Sequence, residues 1–492
     1  MLFSSLLFIC IFFPLCLFTY YIPKSNSARN IVLLVFSLIF YAWGEPKYIF
    51  LLLFSAFSCW FYAQLIEKFK NENKERDARR CLIAACAVII GLLVIFKYTP
   101  FLLGNLKALT GVPKTIKNVA LPIGISFYTL QLITYVADVY KGEARAQKNF
   151  ANLLLYACLF HKCIAGPIVK YSDIENELTE RTVSMSDFNK GVMRFSVGLA
   201  KKAILANSCG TITNALLLSD AEISSAAMLS MNLDALSSAS VITLWFGMLI
   251  FMLQIYLDFS AYSDIAIGMG LMMGFHYNEN FNYPYAASSV SEFWKKWNIT
   301  LGAFFKDYVY IPLGGNRNGK IRTVLNLLIV WLLTGLWHGA SWSFVLWGLY
   351  FFVFIAAEKL FLSDLLKKAP SWVRHIYLLA VVYFGWIFFR FENMSLVGTV
   401  FKGMFGLNGN AFATREAFLY IFDNLIFVII AAVACTPVIR YLKAVINHFS
   451  KKKPAVNIAY SVFRAVIPAI LVLISAACLT GISGNPFLYF RF

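Results

Sequence analysis

Residues 323–357 include no Asp, Glu, Lys or Arg, and the nearest charged residues on either side are Arg322 and Glu358. As one straight helix this uncharged run would be about 50 Å long, whereas the hydrocarbon core of a bilayer is about 30 Å thick. A chain embedded in a membrane therefore has to break, fold back or tilt steeply within this run.

A single histidine, His338, lies inside the uncharged run, and Gly335 and Gly339 flank it where we expect the helix to break. Irregular backbone at membrane depth is tolerated only where protein or a water-filled cavity surrounds it. An ionisable side chain in such a place indicates a functional site. The alternative is a structural histidine bonded to a neighbouring carbonyl group, and the spacing alone leaves both interpretations open.

Composition places the chain among integral membrane proteins. Hydrophobic residues make up 60% of the chain and charged residues only 14%, and the mean hydropathy is +0.69, which excludes an ordinary soluble enzyme. For 492 residues we expect an all-α polytopic bundle of about 10–12 spanning or re-entrant helices. The cysteines form no Cys-x-x-Cys pair and mostly lie in or beside apolar runs, so we expect neither disulfides nor a bound metal.

The net charge of +18 does not indicate nucleic-acid binding, because the basic residues lie in short loops between apolar runs. Such loops are typical of the cytoplasmic face, which is next to anionic lipid. If residues 67–80 are cytoplasmic, counting back places the turn with Lys24 and Arg29 in the cytoplasm and the N-terminus outside. Residues 2–20 are interpreted as a retained first span rather than a signal peptide, since they lack a basic start and a cleavage site.

The apolar run of residues 241–275 contains two carboxylates, Asp258 and Asp264. Their spacing puts them on different faces of a helix, so the pattern does not indicate a paired acid–base site. A carboxylate in a membrane is costly unless it is paired. We therefore expect a basic or polar partner for each carboxylate, and a supporting role for both in orienting the site.

Large apolar residues recur at intervals of three and four residues from Trp294 to Tyr308, which predicts one helix with a single apolar face. Three lysines lie away from that face: Lys295, Lys296 and Lys306. One interpretation is an interfacial helix that lies in the plane of the membrane. The other is a helix that docks into the protein and presents Asn298 to the site.

His161 and Lys162 come shortly before a Gly166-Pro167 pair that breaks the apolar run of residues 151–171. The break indicates a re-entrant hairpin. Two interpretations are open for His161 and Lys162: side chains that extend to the membrane interface, which we favour, or residues on a substrate pathway.

Six motifs are spread over most of the chain, and with them the sequence resembles the membrane-bound O-acyltransferase (MBOAT) family, in particular its bacterial alginate O-acetyltransferase branch. The motifs are LPIGISFYTLQ from Leu121, IAGPIVKY from Ile164, LDFSAYSDIAIG from Leu257, NFNYPYAASSVSEFWKKW from Asn280, IPLGGNR from Ile311 and LLTGLWHGASWSFVLWG from Leu332.

The resemblance implies candidate site residues. The family's active-site histidine corresponds to His338, and its second polar position, which is His or Asn depending on the branch, corresponds to Asn298. Relatives in the alginate branch usually carry His at that second position, and Pro-Gln where this chain has His161-Lys162. The expected supporting residues are Asp258, Asp264, Glu292, Trp294, Trp297 and Trp337.

The resemblance also implies a function. It predicts a helical bundle with a central tunnel or funnel, in a bacterial cell membrane, that brings an acyl group from a cytosolic thioester to His338. Acetyl-CoA is the expected donor substrate, and no bound cofactor is expected. The expected acceptor is a hydroxyl of an extracytoplasmic polysaccharide, alginate-like or peptidoglycan, reached through an SGNH-hydrolase-like acyltransferase partner. An imidazole that titrates near neutral pH suits this chemistry as base or nucleophile.

Two other functions stay open at this point. One is D-alanyl transfer to teichoic acid from a carrier-protein thioester on the same fold. The other is a polytopic transporter with an intramembrane His/Asp relay, although the sequence shows no obvious internal repeat of the kind many transporters have. We expect a single membrane domain, with N-terminal spans in residues 1–120, the motif-bearing core in residues 121–360 and C-terminal spans in residues 361–492.

Overall fold

The computed structural model describes residues 1–111, 121–164, 166–218, 226–480 and 487–488. Within these ranges all regular structure is helical, and no β-strand occurs. The all-α class predicted from composition is confirmed.

The helices are numbered in chain order. The first eleven are α1 (Phe8–Tyr21), α2 (Asn26–Gly44), α3 (Pro46–Asn71), α4 (Glu75–Thr110), α5 (Ile125–Lys141), α6 (Phe150–Cys158), α7 (Phe160–Cys163), α8 (Tyr171–Thr179), α9 (Met185–Ala200), α10 (Asn207–Leu217) and α11 (Ala226–Ser238). The others are α12 (Val241–Met272), α13 (Val290–Lys296), α14 (Ile299–Phe305), α15 (Gly319–His338), α16 (Trp342–Lys368), α17 (Ser371–Arg390), α18 (Met394–Met404), α19 (Arg415–Ala434), α20 (Val438–Lys452) and α21 (Pro454–Leu479).

Nine helices in the described ranges are long and apolar enough to cross a membrane, namely α2, α3, α4, α12, α15, α16, α17, α19 and α21. The shorter apolar helix α1 accompanies them. The polytopic architecture is therefore as predicted, and the central tunnel or funnel stays a prediction.

The uncharged run of residues 323–357 breaks where the glycines predicted. Helix α15 ends at His338, and α16 begins at Trp342 after a short extended link. The two helices pack backbone to backbone, because a Cβ on Gly335 would meet the Phe344 carbonyl oxygen at 2.4 Å and one on Gly348 would meet the Trp331 carbonyl oxygen at 2.4 Å. Glycine at these two positions is what allows the helices to form a close hairpin.

The second long apolar run behaves differently. Helix α12 continues over 32 residues without a break, which corresponds to a length of about 48 Å. Asp258 and Asp264 both lie within this single helix. The prediction that the two carboxylates lie on different faces of a helix therefore applies to one continuous helix.

The prediction of one helix from Trp294 to Tyr308 is wrong. The segment forms two short helices, α13 and α14, which are separated at Trp297 and Asn298. The break has a cause outside the segment: the Asn280 side-chain oxygen accepts hydrogen bonds from the Thr300 backbone N–H (3.1 Å) and hydroxyl (2.9 Å). This cap starts a second helix at Ile299, so the first helix has to end before it.

The chain divides into two compact units. The N-terminal unit comprises Met1–Phe195, Tyr262–Glu279 and Lys306–Tyr308, and the C-terminal unit comprises Ser196–Ala261, Asn280–Phe305 and Val309–Phe492. Of the candidate site residues, Asp264 belongs to the N-terminal unit, and the others belong to the C-terminal unit. The predicted single domain with three segments stays a prediction.

In the N-terminal unit, the favoured interpretation of His161 and Lys162 as interfacial side chains is wrong. Both residues are fully buried. The Lys162 ammonium donates to the Gln131 side-chain oxygen at 2.5 Å and lies 4.0 Å from the centroid of the Tyr156 ring. His161 Nδ1 is 3.0 Å from the Tyr277 hydroxyl. The Lys162 ammonium thus has partners inside the protein and does not have to reach the interface. His161 is buried as well, but its Nε2 has no hydrogen-bond partner among the described residues.

Candidate active site

His338 is the last residue of α15, and only 3% of its surface is exposed. Aromatic rings surround its imidazole edge to face. The ring centroid lies 4.9 Å from that of Trp347, 5.0 Å from that of Trp337 and 5.3 Å from that of Phe389. The helix ends here because the next residue, Gly339, is extended, so the histidine is held at a break in the backbone.

Five indole side chains form one contiguous group beside His338, and we call them the tryptophan cluster: Trp294, Trp297, Trp331, Trp347 and Trp386. Ring centroids are 5.0 Å apart for Trp294 and Trp331, 5.4 Å apart for Trp294 and Trp347, and 4.8 Å apart for Trp297 and Trp386. Trp347 contacts both His338 and Trp294. The cluster therefore connects the end of α15 to helix α13.

A buried carboxylate fixes the start of α13 against the rest of the C-terminal unit. The Glu358 carboxylate accepts hydrogen bonds from the backbone N–H groups of Val290 (2.7 Å) and Ser291 (2.8 Å). The Tyr377 hydroxyl donates to the same carboxylate at 3.1 Å. A carboxylate at a helix N-terminus satisfies donors that the helix leaves unpaired. Glu358 thereby positions Trp294 in the tryptophan cluster.

Glu292 contacts neighbours that are four residues away on either side in the sequence. Its carboxylate accepts from the Ser288 backbone and hydroxyl at 2.9 Å each and pairs with the Lys296 ammonium at 2.7 Å. Partial burial acts to raise the pKa of Glu292, but the hydrogen bonds from Lys296 and Ser288 outweigh it and lower that pKa to about 2. These contacts support the fold of α13, and a role for Glu292 in a reaction stays a prediction.

Asn298 lies at the break between α13 and α14 and is buried. Its backbone has a φ of 44°, in the left-handed region that few residue types other than glycine adopt. Asn is one of the types that tolerate it. Asn298 therefore belongs to neither helix and lies in the link between them, directly after Trp297 of the tryptophan cluster.

Several buried donors at this site have no hydrogen-bond acceptor among the described residues. They include the indole N–H groups of Trp294 and Trp347 and the side-chain amide of Asn298. Buried polar groups in proteins are almost always hydrogen-bonded, and leaving a donor unpaired costs about 1–3 kcal/mol. Each of these donors is therefore available for a hydrogen bond to a group outside the described residues.

The other predicted site residues have separate outcomes. Trp337 is buried and contacts His338 directly. Asp258 pairs with Lys202 at 2.6 Å, and Asp264 pairs with Arg194 at 3.0 Å. The expectation that each carboxylate has a basic partner is confirmed.

Sequence reasoning missed several residues that build this site. Trp347 and Glu358 lie on α16, in and just after the uncharged run, and Asn280 begins one of the recognised motifs. Lys202 belongs to a basic helical pattern, but no periodicity links it to Asp258. For Glu358, a usable signal was its position as the only acidic residue flanking the uncharged run.

Residues 139–400 match the model of the family described as MBOAT, membrane-bound O-acyltransferase. The matched range contains His338, Asn298 and the whole tryptophan cluster. The chain belongs to the membrane-bound O-acyltransferase family. The resemblance inferred from the motifs is confirmed. The chain is an O-acyltransferase that resides in a membrane. This family membership favours an enzyme over the transporter alternative.

Curated relatives of this O-acyltransferase cover most of its length. It is 36% identical to a probable alginate O-acetylase AlgI of Azotobacter vinelandii, over 82% of this chain and 78% of the relative. It is 31% identical to a peptidoglycan O-acetyltransferase of Helicobacter pylori, over 83% of this chain and 80% of the relative. A teichoic acid D-alanyltransferase of Bacillus subtilis is 23% identical over 56% of this chain and 68% of the relative.

Proposed function

We propose that the chain transfers an acetyl group from a cytosolic thioester of the acetyl-CoA type to hydroxyl groups of an extracytoplasmic polysaccharide. The acceptor is an alginate-like exopolysaccharide or peptidoglycan. The observation that carries this proposal is His338, buried at the break after α15 and in contact with Trp347 of the tryptophan cluster, which has unpaired donors. Two relatives that match more than four fifths of the chain are a probable alginate O-acetylase and a peptidoglycan O-acetyltransferase.

In the proposed reaction, the His338 imidazole removes the proton of the hydroxyl that receives the acetyl group from this chain, while that hydroxyl oxygen attacks the thioester carbonyl carbon. A C–O bond forms, and the carbonyl oxygen becomes an oxyanion. When the C–S bond breaks, the proton held by the imidazole passes to the departing thiolate. A positioned general base contributes about 10²–10⁴ in rate. In the other order of events, the imidazole attacks first and carries the acetyl group itself.

The unpaired donors give the proposed site a place for the carbonyl oxygen. The indole N–H groups of Trp294 and Trp347 and the Asn298 amide are buried neutral donors, and the two indole rings contact each other. Hydrogen bonds of this kind strengthen as negative charge develops on the oxygen, which lowers the barrier selectively. They are fixed by packing, so little reorganisation is needed during the reaction.

The relatives favour an acetyl group over a D-alanyl group. Two relatives that match 82% and 83% of the chain are named for O-acetylation. The similarity to the teichoic acid D-alanyltransferase is also lower and covers less of the chain.

We further propose that the enzyme works in a bacterial cell membrane with its N-terminus outside, and that an extracytoplasmic SGNH-hydrolase-like acyltransferase completes the transfer. The proposal rests on the different locations of the donor and the acceptor. The thioester is made in the cytosol, whereas the polysaccharide hydroxyls are exposed outside. A membrane-embedded transferase supplies the step between them, and a partner with access to the polymer supplies the last one.

The proposal is tested by mass spectrometry of surface glycans from cells with and without the gene. Glycans from the complete strain are expected to carry acetyl esters that the deletion strain lacks. The purified protein in nanodiscs, supplied with radiolabelled acetyl-CoA, should release free CoA when the acceptor glycan and the extracytoplasmic partner are both present. Acetyl esters that persist in the deletion strain, or D-alanyl esters that vanish from it, would contradict the proposal.

Asn298→Ala is expected to lower acetyl transfer by about 10²–10³, the usual effect of removing one oxyanion donor. Because alanine is strained at a positive φ, Asn298→Gly serves as the matched variant that accepts this backbone but lacks the amide. Both variants should lose the same activity per unit of inserted protein. Asn298→His, which keeps a donor and tolerates the left-handed region, should retain part of it.

Asn326 provides the structural control for this series. Its side chain donates to the Leu313 carbonyl (3.2 Å) and the Gly315 carbonyl (2.9 Å). Asn326→Ala should lower the amount of folded protein and leave the activity per folded molecule unchanged. If Asn298→Gly behaves like Asn326→Ala, the Asn298 amide is a structural group and takes no part in the transfer.

A further inference from the structure

Helix α20 separates its apolar and polar residues into two faces more cleanly than a spanning helix does. The apolar face follows the helical spacing of three and four residues and consists of Val438, Ile439, Tyr441, Leu442, Val445, Ile446 and Phe449. Arg440, Lys443 and Asn447 lie on the opposite face. At 15 residues the helix is about 22 Å long, which is too short to cross the hydrocarbon core.

The apolar face of α20 is not covered by the described protein. Tyr441 is 66% exposed, Ile439 60% and Leu442 55%. The spans on either side of it in the chain, α19 and α21, are only 17% buried each. In water such a face would be unstable. The structure therefore needs an apolar medium around α20, and the lipid in which α19 and α21 reside is the medium available.

Prolines fix α20 as a separate element between those spans. Pro437 precedes its first residue, and Pro454 is the first residue of α21. Proline at a helix start is favourable and prevents continuation of the preceding helix. Helix α20 is therefore a separate helix that links the two spans at one membrane face, and it is not an extension of either span.

Charge identifies the kind of lipid. Arg440 and Lys443 are exposed on the polar face, and Lys452 and Lys453 follow at the end of the helix. The last acidic residue in the sequence is Asp423, so no Asp or Glu accompanies these cations in α20 or α21. Each basic residue near an anionic membrane surface adds attraction to lipid headgroups.

The count of candidate spans gives the membrane face. Among the described residues between residues 67–80 and α20, six helices are candidate spans, namely α4, α12, α15, α16, α17 and α19. If each crosses once, the even number puts α20 on the same side as residues 67–80, whose basic residues predict the cytoplasmic side.

We propose that α20 lies in the plane of the cytoplasmic leaflet and binds anionic phospholipid headgroups through Arg440 and Lys443. Its apolar face rests on the acyl chains between α19 and α21. The occupant of this surface is an anionic lipid, because exposed apolar and basic faces on one short helix match the two parts of such a molecule. The interaction anchors the least packed spans of the enzyme and does not depend on its acyl donor or acceptor.

The test is hydrogen–deuterium exchange of the full-length protein in two kinds of nanodisc, one of phosphatidylcholine and one of phosphatidylcholine with phosphatidylglycerol. Backbone amides of α20 are expected to exchange more slowly in the anionic nanodiscs. Arg440→Gln/Lys443→Gln should speed that exchange about 10- to 30-fold, as expected for the loss of two surface cations. Arg440→Lys/Lys443→Arg keeps both charges and should exchange like the unmodified protein.

Three results would overturn the proposal. The first is equal exchange of α20 in the two lipids, which would mean that headgroup charge has no part in its placement. The second is equal loss of protection in the charge-keeping and charge-removing variants, which would indicate specific contacts with protein. The third is the same protection in a neutral detergent micelle as in the anionic nanodiscs, which would mean that an apolar medium alone holds α20 and that anionic headgroups have no part in it.

Discussion

Replacing His338 with alanine is expected to abolish surface acylation while the protein is inserted at a normal level. The residue is buried, ends α15 at a backbone break and is ringed by Trp337, Trp347 and Phe389. Loss of a general base typically costs about 10²–10⁴ in rate, and loss of a nucleophile removes the route entirely. Acylated glycan per unit of membrane-inserted protein is the quantity to measure, and a mere halving is too small an effect for a catalytic group.

His338→Gln distinguishes catalysis from structure. Glutamine can keep a hydrogen bond to a neighbour, but it cannot accept and return a proton or carry an acetyl group. If His338 is catalytic, the glutamine variant is as inactive as the alanine variant. If it is structural, the glutamine variant is well expressed with near-normal acylation, and the alanine variant is lost from the membrane.

A second histidine in the same unit serves as the control. His375 belongs to α17 and lines an apolar cavity beside Trp245 and Tyr383. Its replacement by alanine should leave acylation per inserted protein unchanged. Radiolabelled acetyl-CoA also separates the two roles of His338: label that stays on the denatured protein, and is absent from His338→Gln, identifies an acyl-imidazole.

The break at His338 was predictable because its causes are local. An uncharged run longer than a bilayer, with glycine at 335 and 339, has few solutions, and the observed hairpin of α15 and α16 is one of them. The break at Asn298 was not predictable from its own neighbourhood. The apolar spacing continues across it, and the cap that causes it comes from Asn280.

The same contrast holds for buried charge. That Asp258 and Asp264 need partners follows from the cost of burying a carboxylate, but the identities of Lys202 and Arg194 depend on how helices pack. Lys162 shows the reverse case. Its sequence position suggested an exposed amine, whereas Gln131 and the Tyr156 ring enclose it in the N-terminal unit. Periodicity does not reveal which neighbouring helix will supply such groups.

The largest expected effect on stability comes from the ion pair of Lys202 and Asp258. The two side chains are 2% and 3% exposed, and the ammonium lies 2.6 Å from the carboxylate. The other carboxylate oxygen accepts from the Leu488 backbone N–H at 2.8 Å, and the Phe487 ring centroid lies 4.5 Å from the ammonium. Lys202→Met is expected to cost about 3–5 kcal/mol, because it leaves the Asp258 carboxylate buried without a counter-charge.

The double variant Lys202→Met/Asp258→Asn removes both charges and keeps an oxygen for the Leu488 N–H. It should recover most of the stability lost in the single variant, since the penalty comes from the uncompensated charge and only in small part from the lost contact. The control is Lys367→Met, which breaks the exposed pair of Lys367 and Asp364 at 3.0 Å. Such pairs are worth at most about 1 kcal/mol.

The variants are ranked by thermal unfolding in detergent. The quantity measured is the fraction of protein that stays monodisperse after heating. The expected order of stability is unmodified protein, Lys367→Met, the double variant and then Lys202→Met, with a wide gap before the last. The reasoning fails if Lys202→Met is as stable as Lys367→Met, which would mean that water reaches the pair. It also fails if the double variant is no better than Lys202→Met, because the contact between the two groups would then matter more than the buried charge.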